Sequence, residues 1–247
     1  MPALRTFLIR SGLFRPARAV RRALRADARR MEDAAAAFYR ALLPEGALVF
    51  DIGASVGHMS EALLRAGVRV VAVEPQPECV AELRARCGGR PGFTLLPAAV
   101  GAAPGVATLY LRPHHAASSL RRDWLGEVVG TLDVPVVTLA ALVERYGAPA
   151  YCKVDVEGAE EEVFSTLPGP LPLVSFEYHR SRLDQAAACL RRVASADAEV
   201  NLTHAGPPHF SLAEWVPADD FLRRIDRELG DRAAPGWGDI WVRTRAA

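Results

Sequence analysis

The chain has 247 residues, half of them apolar and 24% charged, with a net charge of +1. This is globular composition, enough for one sizeable domain with an appendage or for two small domains, and it excludes a protein that holds nucleic acid through overall charge. The four cysteines (Cys79, Cys87, Cys152, Cys189) form no CxxC and no metal-ligand rhythm, which fits free thiols in a reducing compartment such as the cytoplasm. No apolar run approaches bilayer-spanning length.

Residues 1–30 contain nine arginines and one acid, Asp27, with Leu4, Phe7, Leu8, Leu13 and Phe14 among them. Such a basic amphipathic segment suits a solvated arm or a helix packed on the domain. It also suits contact with an anionic membrane surface or an acidic partner, or an organellar transit peptide. It lacks the apolar core of a secretory signal. A helix follows over "MEDAAAAFYRALL" and stops at Pro44-Glu45-Gly46. The expected organisation is a basic helical extension (1–40) and a main domain (41–247).

Strand and helix signals then alternate. Strands are expected at 47–54, 68–75, 93–101, 105–113, 133–139, 151–158, 173–179 and 238–245; helices at 58–67, 77–89, 139–147 and 182–195. The stretch 113–131 reads as a polar loop, and 197–237 carries no assignable pattern. Short apolar strands alternating with amphipathic helices predict an α/β fold, a mostly parallel sheet covered on both faces. In such sheets ligands sit beyond the carboxyl ends of the strands. Asp51, Glu74, Asp155 and Glu177 all fall at those ends.

The first strand–loop–helix, "VFDIGASVGHMS" (49–60), places Gly53 and Gly57 in the turn. A dinucleotide fingerprint beginning at Gly53 would need glycine at Ser55 and at His58, and a phosphate loop would need a lysine that is absent. What remains is D-x-G-x-x-x-G, with Glu74 ending the next strand. An acid there accepts hydrogen bonds from ribose hydroxyls. The combination suits a nucleoside ligand without a pyrophosphate.

These blocks resemble class I S-adenosylmethionine-dependent methyltransferases and, more narrowly, the FkbM family. The resemblance covers roughly residues 40–245. It is carried by Val49–Ser60, by Glu74-Pro75-Gln76-Pro77, by Ser118-Ser119-Leu120 and, most specifically, by Lys153-Val154-Asp155-Val156-Glu157-Gly158-Ala159-Glu160. Ser55 stands where the family usually has asparagine. The resemblance implies a Rossmann-like fold with a seven-stranded, mostly parallel sheet whose last strand is antiparallel. It implies S-adenosylmethionine as cofactor, contacted by Asp51, Gly53, Ala54, Ser55, Gly57 and Ser60, by Glu74 and Pro75 at the ribose, by Ala98 and Ala99 at the adenine, and by Asp155. It further implies methylation of a hydroxyl on a sugar, glycan or secondary metabolite.

An alcohol acceptor must lose a proton, so a positioned base helps. Lys153, Asp155 and Glu157 alternate along one strand and Glu177 and His179 along the next, so each set points to one face. Lys153, Asp155, Glu177 and His179 are the catalytic candidates. Lys153 is equally read as a partner of Asp155 or Glu177 that ties the sheet end together, and His179 as a satisfied strand-end histidine. His114 and His115 read as substrate contacts or as solvated loop residues. Asp155, Glu177 and a histidine could hold a metal, but no ligand spacing demands one. A non-catalytic nucleoside-binding protein is the alternative, and a nicotinamide-dependent oxidoreductase is disfavoured by the missing glycines.

Overall fold

The computed structural model describes residues 29–204, 208–230 and 236–244. The expectations for residues 1–28 lie outside the described residues. A helix over 29–42 (α1) leads into β1 (Leu48–Ile52), α2 (His58–Arg65), β2 (Arg69–Val73), α3 (Pro77–Cys87) and β3 (Phe93–Leu96). After β4 (Ala99–Val100), β5 (Gly105–Leu111) and β6 (Gly130–Val137) come α4 (Leu139–Tyr146), β7 (Tyr151–Val154), α5 (Glu160–Phe164) and β8 (Leu173–His179). The chain continues through α6 (Leu183–Val193), β9 (Ala198–His204), β10 (Val216–Pro217), α7 (Ala218–Leu222), α8 (Ile225–Leu229) and β11 (Trp237–Thr244).

The main sheet has the order β10-β9-β11-β8-β7-β1-β2-β3. β1 pairs in parallel with β2 and β7, β2 with β3, and β7 with β8; β11 runs antiparallel between β8 and β9. The expected seven strands with an antiparallel last strand are therefore present, and two-residue β10 is added at the β9 edge. β1 and β7 are buried along their whole length, as parallel strands covered on both faces must be.

Alternation sorts the core into two layers. Phe50, Ile52, Cys152, Val154 and Phe176 pack under α4 to α8. Val49, Tyr151 and Trp241 face α1, α2 and α3, against Tyr39, Leu63 and Leu83. Tyr151 stacks on Trp241 at 5.0 Å and Tyr39 on Tyr151 at 6.0 Å, so α1 is seated on the sheet by aromatic contact. The same face carries Asp51, Lys153, Ser175 and Asn201, which turns its upper end into a polar site.

Three expectations change. The single strand at 93–101 breaks at Pro97, which has no N–H for a ladder. β3 stays in the main sheet, whereas β4 joins a small second sheet, β4-β6-β5. The strand at 151–158 ends at Val154, and the acids beyond it lie on a turn. The unassigned stretch supplies β9, a buried strand between β11 and β10. Its Asn201, the sole asparagine of the chain, accepts from the Leu202 and Leu212 N–H groups and donates to the Leu212 carbonyl, pinning the following loop.

Candidate functional site

The loop after β1 is shaped by close approach. Gly53 has φ 81, and a Cβ there would lie 1.7 Å from the Asp155 carbonyl oxygen. Only glycine lets the β1 and β7 loops touch. Gly57 (φ 87) would drive a Cβ into Leu83 at 2.4 Å. Ser55 is also left-handed, at φ 47, and its N–H donates to Glu74 Oε2 at 2.9 Å. The Gln76 N–H donates to Glu74 Oε1 at 2.8 Å. Burial pushes the Glu74 carboxyl up, and these two N–H bonds oppose it. Asp51 lies behind the loop and accepts the Ser60 hydroxyl at 2.5 Å; burial raises its carboxyl as well, with Ser60 and then Lys153 opposing.

A cleft at these strand ends encloses about 80 Å³. Of the expected cofactor residues, Gly53, Ser55, Glu74, Pro75, Ala98, Ala99 and Asp155 line it. Asp51, Ala54, Gly57 and Ser60 are not on its wall; they hold the loop that is. Gln76, His115, Ser118, Leu109 and Glu157 are among the other residues that line it. The Gln76 side chain donates to the His115 carbonyl at 2.9 Å, tying the 3₁₀ turn His115–Ala117 over the cleft. His115 thus comes from a loop that sequence reading left between substrate contact and solvation.

Asp155 joins a second group of residues. Lys153 Nζ donates to Asp155 Oδ2 at 2.6 Å and lies 3.7 Å from Asp239 Oδ1. Burial pulls the ammonium pKa down, but Asp155 and Asp239 more than offset this and hold it well above the usual lysine value. Asp239 is raised by burial, with Lys153 opposing. Glu177 is pushed up to about 9 by burial and then by Asp155, and Glu157 to about 8 by burial and then by Glu177 and Asp155. His179 Nε2 lies 3.2 Å from Glu177 Oε2. The four catalytic candidates therefore share one cluster, and Glu157 and Asp239 belong to it too.

The cluster borders a second cavity of about 580 Å³, lined by Met31, Ala35, Tyr39, His58, Met59, Thr203, Trp237 and Asp239 among others. His58 opens α2, as its place in the sequence suggests, and also faces this cavity. In the β8–β11 ladder Asp239 stands opposite Glu177 and Trp237 opposite His179. Two residues were beyond sequence reasoning: Asp239, because its neighbours come from distant strands, and Trp124, because its loop has no periodicity. The Trp124 indole N–H donates to Glu157 Oε2 at 2.8 Å. The Ser119 hydroxyl donates to the Glu157 carbonyl at 2.6 Å, which gives the serine pair a structural reason. Glu160 opens α5 and accepts from the Val156 and Gly158 N–H groups.

Residues 51–232 match the methyltransferase FkbM domain. Ribosomal RNA small subunit methyltransferase A of Anaeromyxobacter dehalogenans (strain 2CP-C) is 32% identical over 195 residues, 78% of this chain and 52% of that protein. The chain thus spans about half the length of the curated relative it matches. Among solved structures, ribosomal protein L11 methylase from Lactobacillus delbrueckii subsp. bulgaricus aligns with a TM-score of 0.47 at 12% identity, over 87% of this chain and 78% of that one. Precorrin-6y C5,15-methyltransferase from Geobacter metallireducens GS-15 aligns with a TM-score of 0.45 at 12% identity, over 84% and 86%.

Proposed function

Because the chain belongs to the FkbM family of S-adenosylmethionine-dependent methyltransferases, we propose that it methylates a hydroxyl on a sugar, glycan or secondary metabolite. The observation that carries this choice is the Lys153–Asp155–Asp239 charge group, set between the cofactor cleft and a second cavity. A hydroxyl needs what that group offers, a carboxylate to receive a proton and an ammonium to steady a developing oxyanion.

The residues of the cleft fit the cofactor. Glu74 presents an acid to ribose hydroxyls, Ala98 and Ala99 give a small apolar wall, and the Gly53–Ser55 turn brings backbone close to the ligand. When bound, S-adenosylmethionine supplies a methyl on a positively charged sulfur, open to in-line displacement. Asp155 would take the acceptor proton while Lys153 holds that carboxylate in place. Glu177 and His179 stand on the adjacent strand, opposite Asp239 and Trp237. The second cavity, apolar with a few polar groups, suits a small acceptor. The curated relative acts, by its name, on ribosomal RNA; a net charge of +1 argues against an RNA acceptor here.

Isothermal titration of the purified chain with S-adenosylhomocysteine tests the reading. Wild type should bind, and Glu74→Ala should weaken binding about tenfold or more, the worth of hydrogen bonds to a charged acceptor. Absence of binding by the wild type would sink the reading. A non-catalytic nucleoside-binding role is the alternative, and transfer of labelled methyl to any component of a cell extract separates the two.

A further inference from the structure

Three side chains at the edge of the charge group converge from separate backbone positions. Glu177 and His179 project from the end of β8, and Glu157 from a left-handed residue at φ 58. One donor atom from each lies within 4.8 Å of the others. Glu177 Oε2 and His179 Nε2 are 3.2 Å apart. Two ligands at right angles, each about 2.1 Å from a cation, lie about 3 Å apart, and opposite ligands lie about 4.2 Å apart. The spacing is that of a coordination shell to within a small side-chain movement.

Two further observations come from outside the cluster. Trp124 orients two of the three ligands: its indole N–H donates to Glu157 at 2.8 Å, and its ring meets the His179 ring edge-on at 5.3 Å. Outer partners of this kind fix metal ligands in place. The cluster also sits where a cation would meet both reactants. Glu157 lines the cofactor cleft, while Glu177 and His179 stand opposite Asp239 and Trp237, which line the larger cavity.

We propose that Glu157, Glu177 and His179 bind one divalent transition-metal cation, with its remaining positions open to water and to the acceptor oxygen. One imidazole with two carboxylates suits Mn²⁺, Fe²⁺ or Zn²⁺ better than the all-oxygen shells of Ca²⁺ or Mg²⁺. The consequence for catalysis rests on the methyl-transfer reading. An alcohol holds its proton far more tightly than a carboxylic acid does, so the acceptor must be made more acidic before a carboxylate can take its proton. A cation on the acceptor oxygen does this. The proton passes to Asp155, the oxygen pair forms the O–C bond as the C–S bond breaks, and the C–S pair remains on sulfur. The cation is neither oxidised nor reduced.

The full chain, stripped with EDTA, is titrated with MnCl₂ while free Mn²⁺ is read by electron paramagnetic resonance. One saturable Mn²⁺ per chain is expected, with a rise in Tm on binding. Glu177→Gln and His179→Ala should each weaken Mn²⁺ binding about tenfold or more and abolish the rise in Tm, while still unfolding cooperatively without metal. No saturable binding, or wild-type binding by both variants, overturns the proposal. Titration of the wild type with S-adenosylhomocysteine in parallel keeps the two readings apart: Mn²⁺ binding without nucleoside binding supports the metal site and removes the methyl-transfer reading.

Discussion

Lys153 is the one lysine among thirty basic residues. Its ammonium is buried between Asp155 and Asp239, where a compact point charge fits better than the wide fork of a guanidinium. Three residues beyond Glu157, Glu160 shows what burial does to a carboxyl in this turn. It accepts the Val156 and Gly158 N–H groups, yet burial still pushes it up to about 7. A carboxyl raised from its ordinary 4.5 to about 7 binds more protons folded than unfolded. Its contribution is present in full below about pH 4.5 and is lost as pH rises through 7. Glu160→Gln keeps an oxygen acceptor and removes the titration. Urea unfolding from pH 5 to 8 should show the wild type losing up to about 3 kcal/mol more than the variant. Parallel curves would show that Glu160 does not titrate in that window.

At the scale of elements, the site depends on a loop whose regular structure is limited to the 3₁₀ turn His115–Ala117, residues 112–129, between β5 and β6. Arg112 organises it. Its buried guanidinium donates to the carbonyls of Tyr110, Arg121, Arg122, Trp124 and Leu125. The loop in turn supplies Ser119 and Trp124 to Glu157. Gly158 (φ 94) completes the fit, since a Cβ there would meet the Trp124 ring at 2.2 Å. Arg112→Met strands several carbonyls and should lower stability by about 2–4 kcal/mol. Hydrogen exchange should speed up across residues 118–126 while β1 and β7 stay protected. Arg112→Lys should not restore the loop, because an ammonium cannot reach five carbonyls at once. Unchanged exchange in the Met variant would show the loop is held by other contacts.

For the whole molecule, the sheet order brings β1, β7, β8 and β11 side by side, so their ends assemble one site from positions 51 to 239. The arginine-rich residues 1–30 are read as an arm that meets a membrane or an acidic partner. Their deletion should leave S-adenosylhomocysteine affinity within about twofold by titration calorimetry, because α1 already seats on Tyr151 and Trp241. Failure of the shortened chain to fold would place them in the core. Among the described residues, no helix is long and apolar enough to cross a membrane.

Much of this was legible in the sequence because it is local. Apolar runs ending in Asp51, Glu74, Asp155 and Glu177 mark parallel strands with acids at their carboxyl ends, and Gly53 and Gly57 mark a tight turn. Hydrophobic periodicity and glycine spacing report the chain's immediate surroundings, so alternation of strand and helix, the tight glycine turn after the first strand and the family resemblance could all be read directly. The break at Pro97 and the strand at 198–204 were hidden, since an alternating polar pattern such as Glu199-Val200-Asn201-Leu202-Thr203 becomes a buried strand only when β10 and β11 flank it. Pairing across strands decided the rest. Asp239 met Lys153 because β11 inserts between β8 and β9, and Trp124 met Glu157 because Arg112 folds its loop back. Those contacts join residues 33 to 86 positions apart, a distance over which no spacing rule acts and only packing selects the partner.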